Sequence, residues 1–376
     1  MKKLLYLTVW DFSDAESNGI CKKILSQVNT LKKMGFEVDF AYTKNGEVYL
    51  KQKEENILLG QVPKVLNIIL AHRIFAAHLK KERYDAVYVR HCVISPYYIH
   101  LLSILRKNSN KIVVEFPTYP YDKELSKGIK LRLGYCMDCL CRNRMKRYVD
   151  RIITYSEHDE IFGIPTIKTI NGVDFDSIPQ VKHARKKSEI NLIGVAMLSP
   201  WHGFDRVIMG LKNYYENKPD IVVNFLIVGS GGEYEKYVNM VDEYGLKQYV
   251  KFFGNQSGKE LDHIYDQADL AVSSLAFHRI GLNNGSSLKS REYGARGLPI
   301  LSTIPIDYLP EDCSYVCIVP IGESAIDIQK IVDFMQKIEE NEDMDEISNN
   351  IRKLTQNVAD MPVTFKPIRD YLIEEG

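Results

Sequence analysis

Short runs rich in β-branched and aromatic residues alternate with longer stretches of helical periodicity from one end of the chain to the other. That alternation marks βαβ units, and so parallel sheets covered by helices. In the first half, strands are expected at 3–9, 37–42, 86–90, 111–116, 151–155 and 166–170. Between the first two, Ile20, Ile24, Val28 and Leu31 recur at helical spacing, and the run closes at Gly35, a residue suited to a helix C-terminus. Asn171-Gly172-Val173-Asp174 is turn chemistry, and the polar stretch 180–187 that follows reads as a linker. The alternation then restarts, with strands expected at 191–197, 222–228, 250–253, 270–275 and 298–302. A chain of 376 residues is too long for one ordinary core. The expected fold is α/β, with two doubly wound parallel-sheet domains in tandem, 1–180 and 181–360, facing a cleft that is the natural place for a ligand.

Apolar residues make up 45% and charged residues 26% of the chain, which sets aside disorder, collagen-like repeats and disulfide-stapled mini-proteins. The longest apolar runs, 65–70 and 192–198, fall far short of the ~18 residues of a membrane span, and no signal-peptide pattern opens the sequence, so a cytoplasmic setting is expected. Seven cysteines, an odd number, suit a reducing compartment. Cys136, Cys139 and Cys141 cluster on a basic segment with no second pair to complete a zinc site, and read as thiols on a helix. Net charge is zero, yet Lys and Arg number 28 against 20 Asp and Glu through Gln180, and 21 against 29 beyond it. Much of the positive charge lies between Lys123 and Arg151, at Lys127, Lys130, Arg132, Arg142, Arg144, Lys146 and Arg147. It is either a solvated face or a surface for anionic lipid headgroups or a phosphorylated acceptor. The stripe Leu66, Ile69, Leu70, Ile74 and Leu79 among Lys and Arg could be an interfacial helix, with core as the favoured reading.

Ligands of open parallel sheets bind beyond the carboxyl ends of strands, and three loops of the second half stand out there. In Ser199-Pro200-Trp201-His202-Gly203-Phe204-Asp205-Arg206, Gly203 lets backbone pass close to a ligand, and His202 with Arg206 offers donors at a helix start. Val228-Gly229-Ser230-Gly231-Gly232-Glu233 lacks the G-x-G-x-x-G spacing and is either a nucleotide contact or a flexible turn. The strongest signal runs from His278 to Pro299: Ser286 or Ser287 is a good N-cap, and free amides at Ser287, Leu288 and Lys289 would make a phosphate-binding helix start. Lys289 and Glu292, three residues apart, share a helix face, which suits either a nucleoside diphosphate lying along the helix end or a simple surface ion pair.

At these residues the sequence resembles the retaining glycosyltransferases of family four, which have the GT-B fold of two Rossmann-like domains. The resemblance runs over nearly the whole chain: Ser17-Asn18-Gly19-Ile20 before a helix, the Asn171–Asp174 turn, Val250-Lys251-Phe252-Phe253-Gly254, 265–269, and the helix from Lys289 to Pro299. The pairing of Trp201–Arg206 with Leu288–Tyr293 resembles a bacterial subgroup that builds capsular and other surface polysaccharides. The resemblance implies a C-terminal domain that holds the nucleotide-sugar, transfer with retained configuration, and a last helix, 361–376, returning to the N-terminal domain. It implies donor-binding residues at Gly203, Arg206, Gly229, Asn284, Ser286, Ser287, Leu288 and Glu292, and an acceptor side at Gly19, Arg90, His91, Thr118 and Tyr119.

Departures from the family bear on mechanism. Of the two glutamates the family carries, Glu292 matches the second and Asn284 stands in place of the first; Ala196 and His202 stand where an Arg and a Lys usually meet the diphosphate. The expectation is that Arg279 and Lys289, with His202, supply that charge as the catalytic groups, since cleavage leaves a diphosphate whose developing charge needs fixed cations and amides. The donor loops are richer in bases than in carboxylates, so transfer without a metal or other cofactor is expected. The expected function is a hexosyltransferase that moves a sugar, with UDP as the favoured carrier, to a lipid-linked or polysaccharide acceptor at the inner membrane face, with no nucleic-acid partner. The alternatives are a non-catalytic GT-B-like partner subunit and a nucleotide-sugar epimerase.

Overall fold

A computed structural model describes residues 1–14, 19–63, 67–121, 129–182, 188–282 and 287–374. The chain divides into two units, Met1–Asn171 together with Met361–Gly376, and Gly172–Asp360.

In the first unit the described strands are β1 (Lys2–Asp11), β2 (Phe36–Lys44), β3 (Glu47–Gln52), β4 (Glu55–Gln61), β5 (Tyr84–Arg90), β6 (Ser109–Phe116), β7 (Arg151–Thr154), β8 (Glu160–Ile161) and β9 (Ile164–Lys168). They form one sheet in the order β4-β3-β2-β1-β5-β6-β7-β9-β8. β2-β1-β5-β6-β7-β9 is parallel, and β3, β4 and β8 are antiparallel additions at the two edges. The β3–β4 hairpin is absent from the sequence reading. β3 follows β2 through Asn45-Gly46, with φ of 51° and 78°, the two-residue turn that closes the antiparallel β2–β3 pair.

Helices α1 (Gly19–Lys33), α2 (Asn67–Leu79), α3 (Pro96–Asn108) and α4 (Ile129–Cys141) cover this sheet. α1 buries Cys21, Ile24, Val28 and Leu31, one helical face. α2 is a core helix and not an interfacial one: Ala71, Phe75, Ala76 and Leu79 are buried, with Ile68, Leu70 and Ile74 packed against the same core; Leu66 lies outside the described residues. In the basic segment Arg144, Lys146 and Arg147 are exposed and Arg142 covers the Phe162 ring, while Lys123 and Lys127 lie outside the described residues, as do the side chains of Lys130 and Arg132. Cys136 is exposed, Cys141 buried, and both are free thiols.

The second unit carries β10 (Glu189–Val195), β11 (Val222–Val228), β12 (Val250–Phe252), β13 (Leu270–Val272), β14 (Ile300–Ser302) and β15 (Val316–Ile318), a parallel sheet in the order β12-β11-β10-β13-β14-β15. Its helices are α5 (Phe204–Glu216), α6 (Tyr234–Glu243), α7 (Gly258–Tyr265), α8 (Leu288–Arg296), α9 (Ile328–Glu339) and α10 (Met344–Ala359). The chain passes into this unit at Gly172, earlier than the linker at 180–187 suggests. The reason is that Arg352 on α10 donates to the carbonyls of Phe175 and Ile178, while Val173 pairs with Asp360, so 173–178 is bound to α10. The last helix, α11 (Met361–Ile373), sits in the first unit's core through Met361, Phe365, Ile368 and Leu372.

Candidate active site

The strand order of the second unit reverses between β10 and β13, so the loops leaving those two strands flank the switch point at the carboxyl edge of the sheet. Tyr293 on α8 joins the two strands there, accepting the Val195 N–H at 3.1 Å and donating to Val272 O at 3.3 Å. Beyond β10 comes a tight turn, Pro200–His202, in which His202 Nδ1 accepts the Ser199 N–H at 3.1 Å and the His202 N–H donates to Ser199 O at 3.0 Å. An accepting Nδ1 places the proton of the neutral ring on Nε2. Burial, with the nearby Lys289 ammonium, pushes the imidazole pKa down to about 3. His202 therefore offers a fixed neutral donor and not a charge.

Gly203, at φ 66°, brings this turn onto the loop after β13, where an added Cβ would lie 3.0 Å from Ala276 Cβ. The two loops are stitched together by Leu275 N–H to His202 O at 2.9 Å and Ala276 N–H to Trp201 O at 3.1 Å. Arg206 lies beneath them, 1% exposed, and donates to the carbonyls of Leu275, Pro320 and Ser324. It ties loops together where the sequence suggested a donor contact. The glycine-rich loop is likewise a packing element: at Gly229, φ 121°, an added Cβ would fall 1.8 Å from Ala196 O, and its N–H donates to Gly254 O.

α8 starts at the switch point with Ser287 as its N-cap, its hydroxyl accepting the Lys289 N–H at 3.2 Å. That amide is thus committed within the cap. Arg291, fully buried, steadies the cap by donating to Ser287 O and to Asp307. Leu288 is partly exposed at the first position, and Asn284 and Ser286 lie outside the described residues. Lys289 turns inward: its Nζ is buried with no hydrogen-bond partner among the described residues, 5.9 Å from the Phe204 ring centroid, and burial pulls its pKa down to about 7. It makes no ion pair with Glu292, whose carboxylate instead lies 3.5 Å from Arg296 on the next turn.

Arg279 occupies a different position from the one expected of it. Its Nη1 donates to Pro200 O and to Asp205 Oδ1, its Nη2 to Asp205 Oδ2 and Glu323 Oε2, and its Nε to Glu323. A guanidinium has five N–H donors, and all five are used. As a free cation for a diphosphate Arg279 is therefore corrected to a loop tie. Sequence reasoning missed its partners Asp205 and Glu323, and also Lys236, which donates to Asp205 at 2.9 Å. Opposite charges on successive loops were the available signal.

On the first unit the residues expected on the acceptor side lie at the carboxyl ends of β1, β5 and β6. Gly19 and Thr118 are exposed, Tyr119 is half-buried with its ring 4.9 Å from that of His158, and His91 stacks on Phe116 at 4.2 Å. Arg90 is drawn inward to Glu115, at 2.6 Å. Glu115 is fully buried and also accepts from Tyr155, Tyr88 and Gln27, and the Arg90 and Lys23 charges outweigh its burial to hold its pKa at about 2. Arg90 is thus part of a buried network, while His91 is packed among aromatic rings on Phe116.

The Asp-x-Asp triplets of the chain, at 174–176 and 343–345, serve as caps: Asp174 accepts the Asp176 N–H and Asp343 the Glu346 N–H. Among the described residues no group of three or more His, Cys, Asp or Glu side chains is placed to hold a metal ion, and no helix is long and apolar enough to cross a membrane. What the switch point offers is a buried unpaired ammonium, a neutral N–H donor and a helix start, the components that stabilise an anionic leaving group.

Residues 176–312 match the family described as Glycosyl transferases group 1. No curated protein sequence matches the chain. Among solved structures it is similar to the sucrose-phosphate synthase of Thermosynechococcus elongatus (16% identity, 99% of each chain, TM-score 0.64). It is similar also to a glycosyltransferase of Rickettsia africae (14% identity, 100% of this chain and 99% of that one, TM-score 0.65) and to Anabaena HepE, solved in complex with UDP (14% identity, 99% of each, TM-score 0.62). At such identities these likenesses carry the two-sheet, GT-B-like fold, while the matched family covers the loops that build the switch-point site. Residues 176–312 are thus similar to the group 1 glycosyltransferases, and the fold of the whole chain to that of solved GT-B-like structures.

Proposed function

We propose that the switch-point site binds a uridine diphosphate sugar and transfers its hexose, with retained configuration, to a lipid-linked or polysaccharide acceptor in surface-glycan synthesis. The observation that carries the donor reading is the Lys289 ammonium, buried with no hydrogen-bond partner among the described residues and near enough to His202 for its charge to lower the imidazole pKa. A buried unpaired charge is costly, and a diphosphate supplies the counter-charge that the protein withholds. Glu292, held from behind by Arg296, is the acceptor for a ribose diol on the same helix face. The lipid-linked acceptor is supported by the exposed Arg144, Lys146 and Arg147 next to Leu140, 78% exposed, a basic and apolar combination that suits an anionic membrane surface.

The test is a thermal-shift screen against UDP, GDP, dTDP and their sugars. A nucleotide at a hundredfold over its dissociation constant stabilises by about 2.7 kcal/mol, and Lys289→Ala and Glu292→Ala should each abolish the shift. An unchanged shift in both variants would remove the assignment of these residues. Cosedimentation with anionic vesicles, lost on Leu140→Asp with Arg144→Glu, checks the membrane contact.

A further inference from the structure

Four loops at the carboxyl edge of the second sheet meet in one cluster of charges: Asp205 from the first turn of α5, Glu233 and Lys236 at the start of α6, His278 and Arg279 after β13, and Glu323 after β15. Arg279 is its hub. It is bidentate to Asp205 at 3.1 and 3.0 Å, reaches both oxygens of Glu323, and donates to Pro200 O at 2.8 Å inside the turn that ends in His202. Asp205 is 5% exposed and accepts from Lys236 as well, and the Glu323 carboxylate, its pKa held down to about 2 by Arg279 and His278, accepts from His278 Nε2 at 2.7 Å. With two cations against three carboxylates and every guanidinium donor engaged, the cluster has no positive charge to present to an anion. Its geometry does something else: it fixes the turn carrying His202 against the loop that runs on to Lys289.

We infer that Arg279 is a positioning residue for this transferase, acting through Asp205 and Glu323 to set the His202 donor against the Lys289 ammonium. The inference rests on the donor site proposed above. A planar fork matched to a carboxylate holds two loops at a fixed distance and angle, which a lysine at the same position does not do. Small displacements of donors aimed at developing charge cost large factors in rate, so a tie of this kind is felt in turnover although it never meets the substrate.

The experiment compares the wild-type protein with Arg279→Lys, Asp205→Asn and Arg279→Ala/Asp205→Asn, and reads UDP affinity by calorimetry, kcat and KM for the donor, and amide hydrogen exchange without ligand. Asp205→Asn is isosteric, and it breaks the bidentate carboxylate side of the tie while Glu323 and Pro200 O still hold Arg279 with its charge intact. A positioning role predicts that Asp205→Asn and Arg279→Lys each lower kcat about tenfold or more. It also predicts a double variant no worse than the more affected single one, and faster exchange at the His202, Leu275 and Ala276 amides. A direct contact with the diphosphate predicts instead that Asp205→Asn leaves UDP binding unchanged or tighter, with Arg279→Lys near wild type, and that result overturns the inference. Unchanged exchange at the three amides overturns it too, with or without a nucleotide. Absence of any nucleotide binding by the wild-type protein, with exchange accelerated in the variants, would count against the donor site and leave the loop tie standing.

Discussion

Lys289 concentrates the chemistry of the site in one titration. Its ammonium is destabilised by burial, while in an unfolded chain it titrates near the usual lysine value, so the penalty on folding is fully present below pH 7 and fades as the pH rises from about 7 toward 10.5. The ligand-free protein should therefore gain stability over that interval, and Lys289→Met should be at least as stable as wild type at neutral pH, as chemical denaturation would show. Binding has the opposite sign. A diphosphate favours the ammonium, so UDP affinity should fall as the pH rises above 7, by up to tenfold per unit, whereas Lys289→Arg should bind with little dependence on pH. Calorimetry at pH 6.5, 7.5 and 8.5 reads this, and a flat wild-type profile would take Lys289 off the diphosphate. In the first unit Glu115 carries the inverse case. Its lowered pKa makes its contribution to stability present above about 4.5 and lost as the pH falls toward 2. Glu115→Ala strands Arg90 and Lys23 and should cost about 3–5 kcal/mol in urea unfolding at pH 7.

Among the elements, the loops of the second unit show how a flexible-looking sequence becomes a rigid scaffold. Gly229→Ala combines a strained φ with a Cβ driven into Ala196 O, and should lower the melting temperature by several degrees or leave the protein insoluble. Ser287→Ala removes the α8 cap and should cost about 1 kcal/mol, with a weaker effect on stability than on UDP binding because Lys289 sits in the first turn. Most of the parallel strands were legible because their apolar runs are bounded by turn residues, whereas the three-residue β15 was not read, and α8 was legible from Ser287, Gly297 and Pro299. The β3–β4 hairpin was missed because an edge pair with one open face lacks a continuous apolar run, and the Asn45-Gly46 turn that leads from β2 into β3 was the signal to hand. Lys289 could be named from its position at a helix start, but the sequence placed it level with Arg279. What separated them was three-dimensional: Asp205 and Glu323 lie 74 and 44 residues from Arg279 in the chain, and no local pattern links them.

For the whole molecule, the charge imbalance between the halves and the return of the last helix matter most. α11 places Met361, Phe365, Ile368 and Leu372 in the first unit's core, next to Leu4, Tyr6 and Tyr88. At about 1.5–3 kcal/mol for each buried apolar side chain, removing α11 costs an amount comparable to the stability of an entire domain. A chain ending at Asp360 should therefore lose the cooperative unfolding of the first unit in calorimetry, and limited proteolysis should cut within 1–171 while sparing the contiguous unit, 172–360. Lys2 and Lys111, which donate to the carbonyls at the end of α11, should become far more reactive to acylation in that truncated chain.

That returning helix also sets an order of events at the ribosome. The first unit lacks part of its core until 361–376 emerges, roughly 10–40 s after Asn171 at about 5–20 residues per second, whereas 172–360 is complete as soon as it is made. The half synthesised second is the one that finishes first, and the half synthesised first waits, with the apolar surface meant for α11 uncovered, as the natural client of a chaperone.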